Sequence, residues 1–565
     1  MCPVPTYPAP TSPVPASSIP QKRGLEDDHQ PAVSSPLNPD FKPSKLPDDA
    51  PLARERATRA KKESLKKRES KGGSLAAESS TRSTPDPKAP NSIKHKKKGN
   101  APAPMRYKLP PPKATDFDPP TGPIPIQAHT KTAPDGSEIE FNEMTEHVYN
   151  KRGFHYTHCI ADPAFPSSLY YRQSEAGPFG PRLSFEDTST YMFMDESGKH
   201  VTTDKGFRMA KANLAIRQGS WYWECKITSG IPKRKRSEAG VGQQSANGHV
   251  RMGWARREAT LDAPVGFDAY SYGIRDARGQ KLHMSRPKDF FPPGEEIQEG
   301  DVIGLEINLP SEALHRKVVE GHYNPAVDLA DDEPPGIETA DIIRDRVPIR
   351  HKGHLYFEQI DYHAVKELEE LMNPSPVISS QGGIGGLGQE PGPTHPSPSL
   401  RTLPHSSIKI YKNGELIGSP FTGLLAFLPP ASSPIIQNGA REGLDDGMLG
   451  YYPAVSVFRG GAAEVNFGPN FWYPPPGYGM STDVAMTGSD QPAESNLNIV
   501  RPVSDRYDEQ IVEDIVHDIV DEVDFWIQDG CVSGKGARNG VLPITTGLGG
   551  GVLGSEIKEL VQDDE

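Results

Sequence analysis

The feature that most restricts how this chain folds is the run Trp221–Ile227, WYWECKI. Trp, Trp, Cys and Ile fall at its odd positions, and Tyr, Glu and Lys at the even ones. A period of two is that of an extended strand with one face turned to a core. The alternation returns elsewhere. Val250, Met252 and Trp254 share one side of a second segment, with His249 and Arg251 on the other, and Ile303, Leu305, Ile307 and Leu309 mark a third. Ile408–Ile417 is predicted to be a hairpin, because Asn413-Gly414 suits the positive φ angles of a type I′ turn. Pro453–Phe458 and Ala463–Phe467 supply a last pair. Between about residues 141 and 476 the chain has many short strands, frequent turn signals and almost no helical periodicity. That pattern predicts a mostly-β antiparallel sandwich with Trp221, Trp223 and Trp254 in its core.

Only part of the 565 residues belongs to that sandwich. Hydrophobic residues make up 35%, while 59 prolines and 54 glycines come to about a fifth of the chain, well above ordinary usage. Such a chain cannot bury its whole length, so one sizeable domain is expected. Residues 1–105 are predicted to be disordered: proline-rich at first, then basic in RERATRAKKESLKKRESK (54–71) and KHKKKG (94–99). From Pro51 to Lys108 there are 17 Lys/Arg against 5 Asp/Glu, so the overall charge of -13 hides a strongly basic arm on an acidic remainder. Lys61, Lys62, Lys66, Lys67, Arg68, Lys96, Lys97 and Lys98 suit nuclear import or contact with DNA phosphates, and charge density does not separate the two from each other or from a solvated linker. Residues 106–200 hold a lead-in segment and the first strands. Polar or Pro/Gly-rich inserts at 233–248, 373–406 and 429–449 interrupt the sandwich of residues 201–476, and 477–503 is a linker.

A helix is predicted over 504–530, with a disordered tail at 531–565. Ile511, Ile515 and Ile519 recur every four residues, Val512, Val516 and Val520 do so one position on, and Val523, Trp526 and Ile527 extend the stripe. The other positions are largely acidic, with Ser504 or Asp505 to cap the start and Gly530 to end it. No neighbouring segment is evident to cover the stripe, which points to a docking surface for another protein, with a helix folded back on its own sandwich as the other reading. The acidic face is expected to keep the helix soluble, and His517 to be partly exposed.

The segments TTDKGFRMAKANLAIRQGSWYWECKI (202–227), GHVRMGW (248–254), APVGFDAYSYGIRD (263–276), GDVIGLEINLP (300–310), HLYFEQ (354–359), IKIYKNG (408–414) and YPAVSVFRGGAAEVNFGPNFWYPPP (452–476) together resemble the SPRY/B30.2 fold. APVGFDAYSYGIRD and VNFGPNFWYPP are the specific ones. They resemble the SPRY subunit of the COMPASS (Set/MLL-type) histone H3 lysine-4 methyltransferase complex, the Ash-two/Bre-two family. The resemblance implies a nuclear, non-catalytic scaffold working with a SET-domain methyltransferase. It implies a site for an acidic segment of the WD-repeat, retinoblastoma-binding-protein type subunit at Phe207, Arg251, Pro264, Phe267 and Arg275. The family commonly has tyrosine at the two phenylalanine positions, so a hydroxyl contact is lost here. It also implies a site for a Dpy-thirty-type dimer at Val512, Val516 and Ile519, with Ile515 and Val523 on the same stripe. Zinc-finger and winged-helix modules of some members have no counterpart among these residues, which is similar to the shorter, fungal-type lineage.

Motifs for catalysis are missing. Walker A, HExxH and GxSxG patterns do not occur, and Gly383–Gly388 fits G-x-G-x-x-G without a flanking strand or helix. Cys2, Cys159, Cys225 and Cys531 make no CxxC, so neither zinc nor a disulfide framework is expected, and a reducing compartment fits. The beginning, MCPVPTYPAP, does not suit a secretory signal, and no apolar run is long enough for a membrane span. No enzyme activity, metal or cofactor is expected. Two other classes compete with the scaffold: a SPRY adaptor for ubiquitin ligation, for which RING and B-box cysteines are lacking, and a nucleic-acid-binding SPRY protein driven by the basic arm.

Overall fold

The computed structural model describes residues 107–108, 112–122, 124–132, 136–145, 154–162, 171–233, 248–328, 342, 344–362, 364–373, 390–433, 445–478, 500–533 and 558–559, with side chains of the last helix described as far as Val523. The basic tracts at 54–71 and 94–99 lie outside these residues.

Two antiparallel sheets form the sandwich. The ten-stranded one runs in the order Glu415–Thr422, Ser407–Lys412, Val302–Leu309, Gly219–Ser229, Ala462–Asn466, His200–Thr202, Phe193–Met194, Glu138–Thr145 and Ile124–Thr132, with Arg501–Pro502 added in parallel beside Gly219–Ser229. The seven-stranded one runs Arg286–Lys288, Lys281–His283, Ser271–Arg275, His249–Arg256, Tyr451–Phe458, Arg208–Ala212 and Leu183–Thr188. Trp221, Trp223, Cys225 and Ile227 of the first sheet share one core with Val250, Met252 and Trp254 of the second. At its centre the rings of Trp223 and Trp254 meet edge to face, 6.2 Å apart, a favoured aromatic geometry. The predicted antiparallel β-sandwich is what forms. A third sheet of four strands, Arg346–His351, His354–Ile360, Phe154–Ala161 and Tyr171–Gln173, joins it.

The even positions of WYWECKI behave unlike a solvated face. Tyr222 and Glu224 are fully buried, because residues 466–473 fold across them. The Glu224 carboxylate accepts the amides of Trp472 and Tyr473, both at 2.7 Å, and the Asn466 side-chain amide at 3.2 Å. Those bonds offset the cost of burying the charge. The Asn413-Gly414 turn forms as expected, with φ of 50° and 87°.

The expected inserts are only partly excursions. Residues 390–406 belong to the fold: Leu403 is in the core, and the Arg401 guanidinium donates to the carbonyls of Val318 and Val319 at 3.2 and 2.6 Å. Those carbonyls lie in the last turn of the helix Glu312–Glu320, where Val318 also accepts the amide of the capping Gly321. At 429–449, Ala431, Leu449 and Asp445 are buried, and Asp445 pairs with Arg217 at 2.6 Å. The linker likewise ends early, since Val503 is in the core.

Candidate functional site

Arg251 and Arg275 are register partners on adjacent antiparallel strands. Cross-strand partners project from the same face, and here it is the face opposite the Val250, Met252 and Trp254 core side, as the alternation predicted. The Arg251 guanidinium stacks on the Phe207 ring at 4.4 Å, and Phe207 in turn packs on Phe458 at 4.8 Å. Burial, and then the positive charge of Arg275, bring Arg251 down to about 10, so it stays protonated at neutral pH. The carboxylate that acts on it, Asp276, is bound to the Val250 amide at 3.0 Å and to His249 Nδ1 at 3.1 Å. Arg275 donates to the Gln280 side-chain oxygen, and Gln280 to Asp289 at 2.5 Å. The Nε atoms of Arg251 and Arg275 are buried and find no hydrogen-bond partner among the described residues. The pair thus sets two guanidinium groups of like charge side by side.

The Pro264–Phe267 turn lies on the same face. The Phe267 amide closes it onto the Pro264 carbonyl at 3.0 Å, and the Val265 amide donates to the hydroxyl of Ser456, the other register partner of Arg251, at 3.0 Å. Gly273 lets this loop lie flat, since a Cβ there would sit 3.0 Å from Val265. Pro264 is half-buried and the Phe267 ring stands out to solvent. The structure thus joins Phe207, Arg251 and Arg275 directly, and places the Pro264–Phe267 turn on the same face, with no side-chain contact to either guanidinium among the described residues. Phe458 and Gln280 were not anticipated. The alternation of YYPAVSVF signals a strand end at Phe458, but nothing in the sequence ties it to Phe207.

The terminal helix spans Asp505–Ser533, running through Gly530. Ser504 does not cap it through its side chain, whose oxygen is buried without a hydrogen-bond partner among the described residues. Its orientation is the reverse of a surface helix. Ile511, Val512, Ile515, Val516, Ile519, Val520 and Val523 are 39% to 60% exposed, whereas Asp518 and Asp521 on the acidic face are buried. The acidic face docks. Arg344 donates to Asp518 at 2.8 Å and to Asp521 at 3.1 Å, and Arg346 bonds both as well. The Gln173 backbone amide donates to Asp518 and its side-chain amide to Asp514, each at 3.0 Å. Burial raises Asp514 to about 6 against the opposing pull of Arg344. Nearer its start, the helix is tied by Arg506 to the Ala215 carbonyl at 3.0 Å and by Tyr507 to Glu175 at 2.5 Å. The expectation that the acids serve only solubility is therefore corrected, and so is the absence of an internal neighbour: the helix has one, met through carboxylates. Arg344 and Arg346 were missed. Their signal was an Arg-x-Arg spacing that matches carboxylates three and four residues apart on a helix face.

His517 is half-buried as expected. Among the described residues no group of three His, Cys, Asp or Glu is arranged to hold a metal ion, and no helix is long and apolar enough to cross a membrane.

No family model matches the chain. It is 58% identical over 563 residues to COMPASS component cclA of Colletotrichum higginsianum, covering 96% of this chain and 95% of that one. It is 40% identical to Set1 complex component ash2 of Schizosaccharomyces pombe, covering 76% of this chain and 54% of that one, and 26% identical to COMPASS component BRE2 of Saccharomyces cerevisiae, covering 70% and 91%. A crystal structure of a human SPRY domain, 12% identical, covers 50% of this chain and 98% of that one at a TM-score of 0.22, too low to add to the description of the fold.

Proposed function

This chain belongs to the Ash2/Bre2 family of COMPASS components, a part of the Set1-type histone methylation machinery, and from that premise we propose that it is a nuclear, non-catalytic scaffold for histone H3 lysine-4 methylation. In this reading the arginine pair takes an acidic segment of the WD-repeat subunit. Arg251 and Arg275 supply the charge and bidentate donors that carboxylates need, and Phe207 and Phe267 wall the site. The exposed stripe takes a Dpy-thirty-type dimer, with Val512, Ile515, Val516, Ile519 and Val523 as its anchors. The chain brings no reacting group. It raises the activity of the SET-domain subunit by holding neighbours in place, which converts encounters into intramolecular contacts.

The observation that carries the reading is the reversed helix. A chain that buries carboxylates on arginines and leaves seven large aliphatic side chains in water has a face awaiting an apolar cover. Reconstitution tests it. Added to the SET-domain and WD-repeat subunits, the full chain should raise H3 lysine-4 methylation and show no transfer alone. If methylation is indifferent to the chain, the proposal fails.

A further inference from the structure

The strand Tyr451–Phe458 ends in a tight turn of Phe458, Arg459, Gly460 and Gly461, closed by the Gly461 amide on the Phe458 carbonyl at 3.0 Å. Its two central residues, Arg459 and Gly460, have φ of 43° and 88°. A turn with both central residues in the left-handed region favours asparagine, aspartate or glycine at the first of them. An arginine there meets a steric cost. The turn has no need of its guanidinium. The Arg459 amide donates to the Lys205 carbonyl at 2.9 Å, the Gly460 amide to the Thr203 carbonyl at 2.7 Å, and Lys131 to the Gly460 carbonyl at 3.0 Å. The Arg459 side chain is exposed, and no salt bridge to it is found among the described residues.

That side chain belongs to a stack leading to the arginine pair. Arg251 lies over Phe207 at 4.4 Å, Phe207 on Phe458 at 4.8 Å, and Arg459 over Phe458 at 5.0 Å. The two guanidinium groups are therefore no more than about 14 Å apart. Extended chain rises about 3.3 Å per residue, so three or four residues bridge the gap. The strands put the stack and the pair on one face: Phe458 is the register partner of His249, and Ser456 that of Arg251, two residues on. Stacking on a ring holds Arg459 in place before any ligand arrives, which lowers the entropy lost on binding.

Resting on the reading that Arg251 and Arg275 take an acidic segment, we propose that Arg459 is a third anchor of that site, seating a carboxylate three or four residues along the extended segment from those held by the pair. Phe207 and Phe458 lie beneath the residues between, which need carry no charge. The site then selects the spacing of acids as well as their number. A segment whose acids are all adjacent fills the pair and leaves Arg459 idle.

The test uses the full chain and fluorescein-labelled extended peptides of about ten residues. Each carries two adjacent glutamates and a third placed three or four residues to one side, with serine and alanine elsewhere. Matched peptides have glutamine at the third position. Anisotropy should show the best three-glutamate peptide binding about three- to fivefold more tightly than its match, the range of an exposed charge pair. Arg459→Asn suits the left-handed turn better than arginine does, so the melting temperature should stay level or rise. The same variant should lower the affinity of the three-glutamate peptide to that of its match. A preference that survives Arg459→Asn overturns the third anchor, and so does the absence of any preference in the unaltered chain. Arg251→Ala with Arg275→Ala should weaken every peptide. Undiminished binding by that double variant overturns the parent reading and the third anchor with it, whereas loss there with no effect of Arg459→Asn overturns the third anchor alone.

Discussion

Arg251 faces Arg275 across a strand pair, and like charges directly opposite destabilise a sheet. In the proposed site an anion bound between them relieves that repulsion. Arg251→Ala with Arg275→Ala should leave the melting temperature of the domain the same or slightly higher, and should abolish capture of the acidic WD-repeat segment. Calorimetry and affinity capture on one preparation decide it: retained capture refutes the site, and a large loss of melting temperature shows the pair to be structural. Asp514 gives a second prediction. Its carboxyl is raised from 3.8 to about 6 in the docked helix, so the docked state holds a proton more tightly than the free one. The contribution favours docking in full below the ordinary value and is lost as pH rises through about 6. A shift of that size corresponds to on the order of 2–3 kcal/mol. Amide exchange of the helix, corrected for intrinsic rates, should show weaker protection at pH 7.5 than at pH 5. Asp514→Asn should flatten that slope, and an unchanged slope would mean the group does not titrate with docking.

The terminal helix separates two roles that usually share one face. Val516 is half exposed, so Val516→Glu should release the dimeric partner while leaving the melting temperature of the sandwich alone. Arg344 is buried between Asp518 and Asp521. Removing one partner of a buried charge cluster typically costs about 3–5 kcal/mol, so Arg344→Ala should undock the helix and collapse its exchange protection. Protection that survives Arg344→Ala would falsify the clamp. The sequence made one of these faces legible and hid the other. A stripe repeating at three and four residues is visible in a short window, whereas a row of carboxylates looks the same whether solvated or clamped. Its partners, Arg344 and Arg346, lie more than 170 residues earlier, in a stretch with no periodicity. The strands show the same limit. Alternation placed Arg251 outward correctly, but it also implied a solvated Tyr222 and Glu224, because the segment that covers them is folded there by long-range contacts. Phe458, which props Phe207, was unreadable for that reason as well.

At the scale of the whole molecule the question is whether the two proposed grips act through each other. The arginine row sits on the seven-stranded sheet, and the stripe sits on a helix fastened by Gln173, Arg344 and Arg346. No described contact is shared between them. Sites without shared partners have additive effects to within about 0.3–0.5 kcal/mol. Binding of the acidic segment should therefore be the same whether or not the dimer is bound, and Val516→Glu should not alter it. Methylation, by contrast, should fall with the loss of either grip, since a scaffold works by raising the local concentration of what it holds. Titration calorimetry of each partner, with the other present and absent, makes the distinction. A coupling well above that limit would mean that the helix and the sheet exchange two discrete arrangements, and the protein would then be a switch for its neighbours as well as a tether.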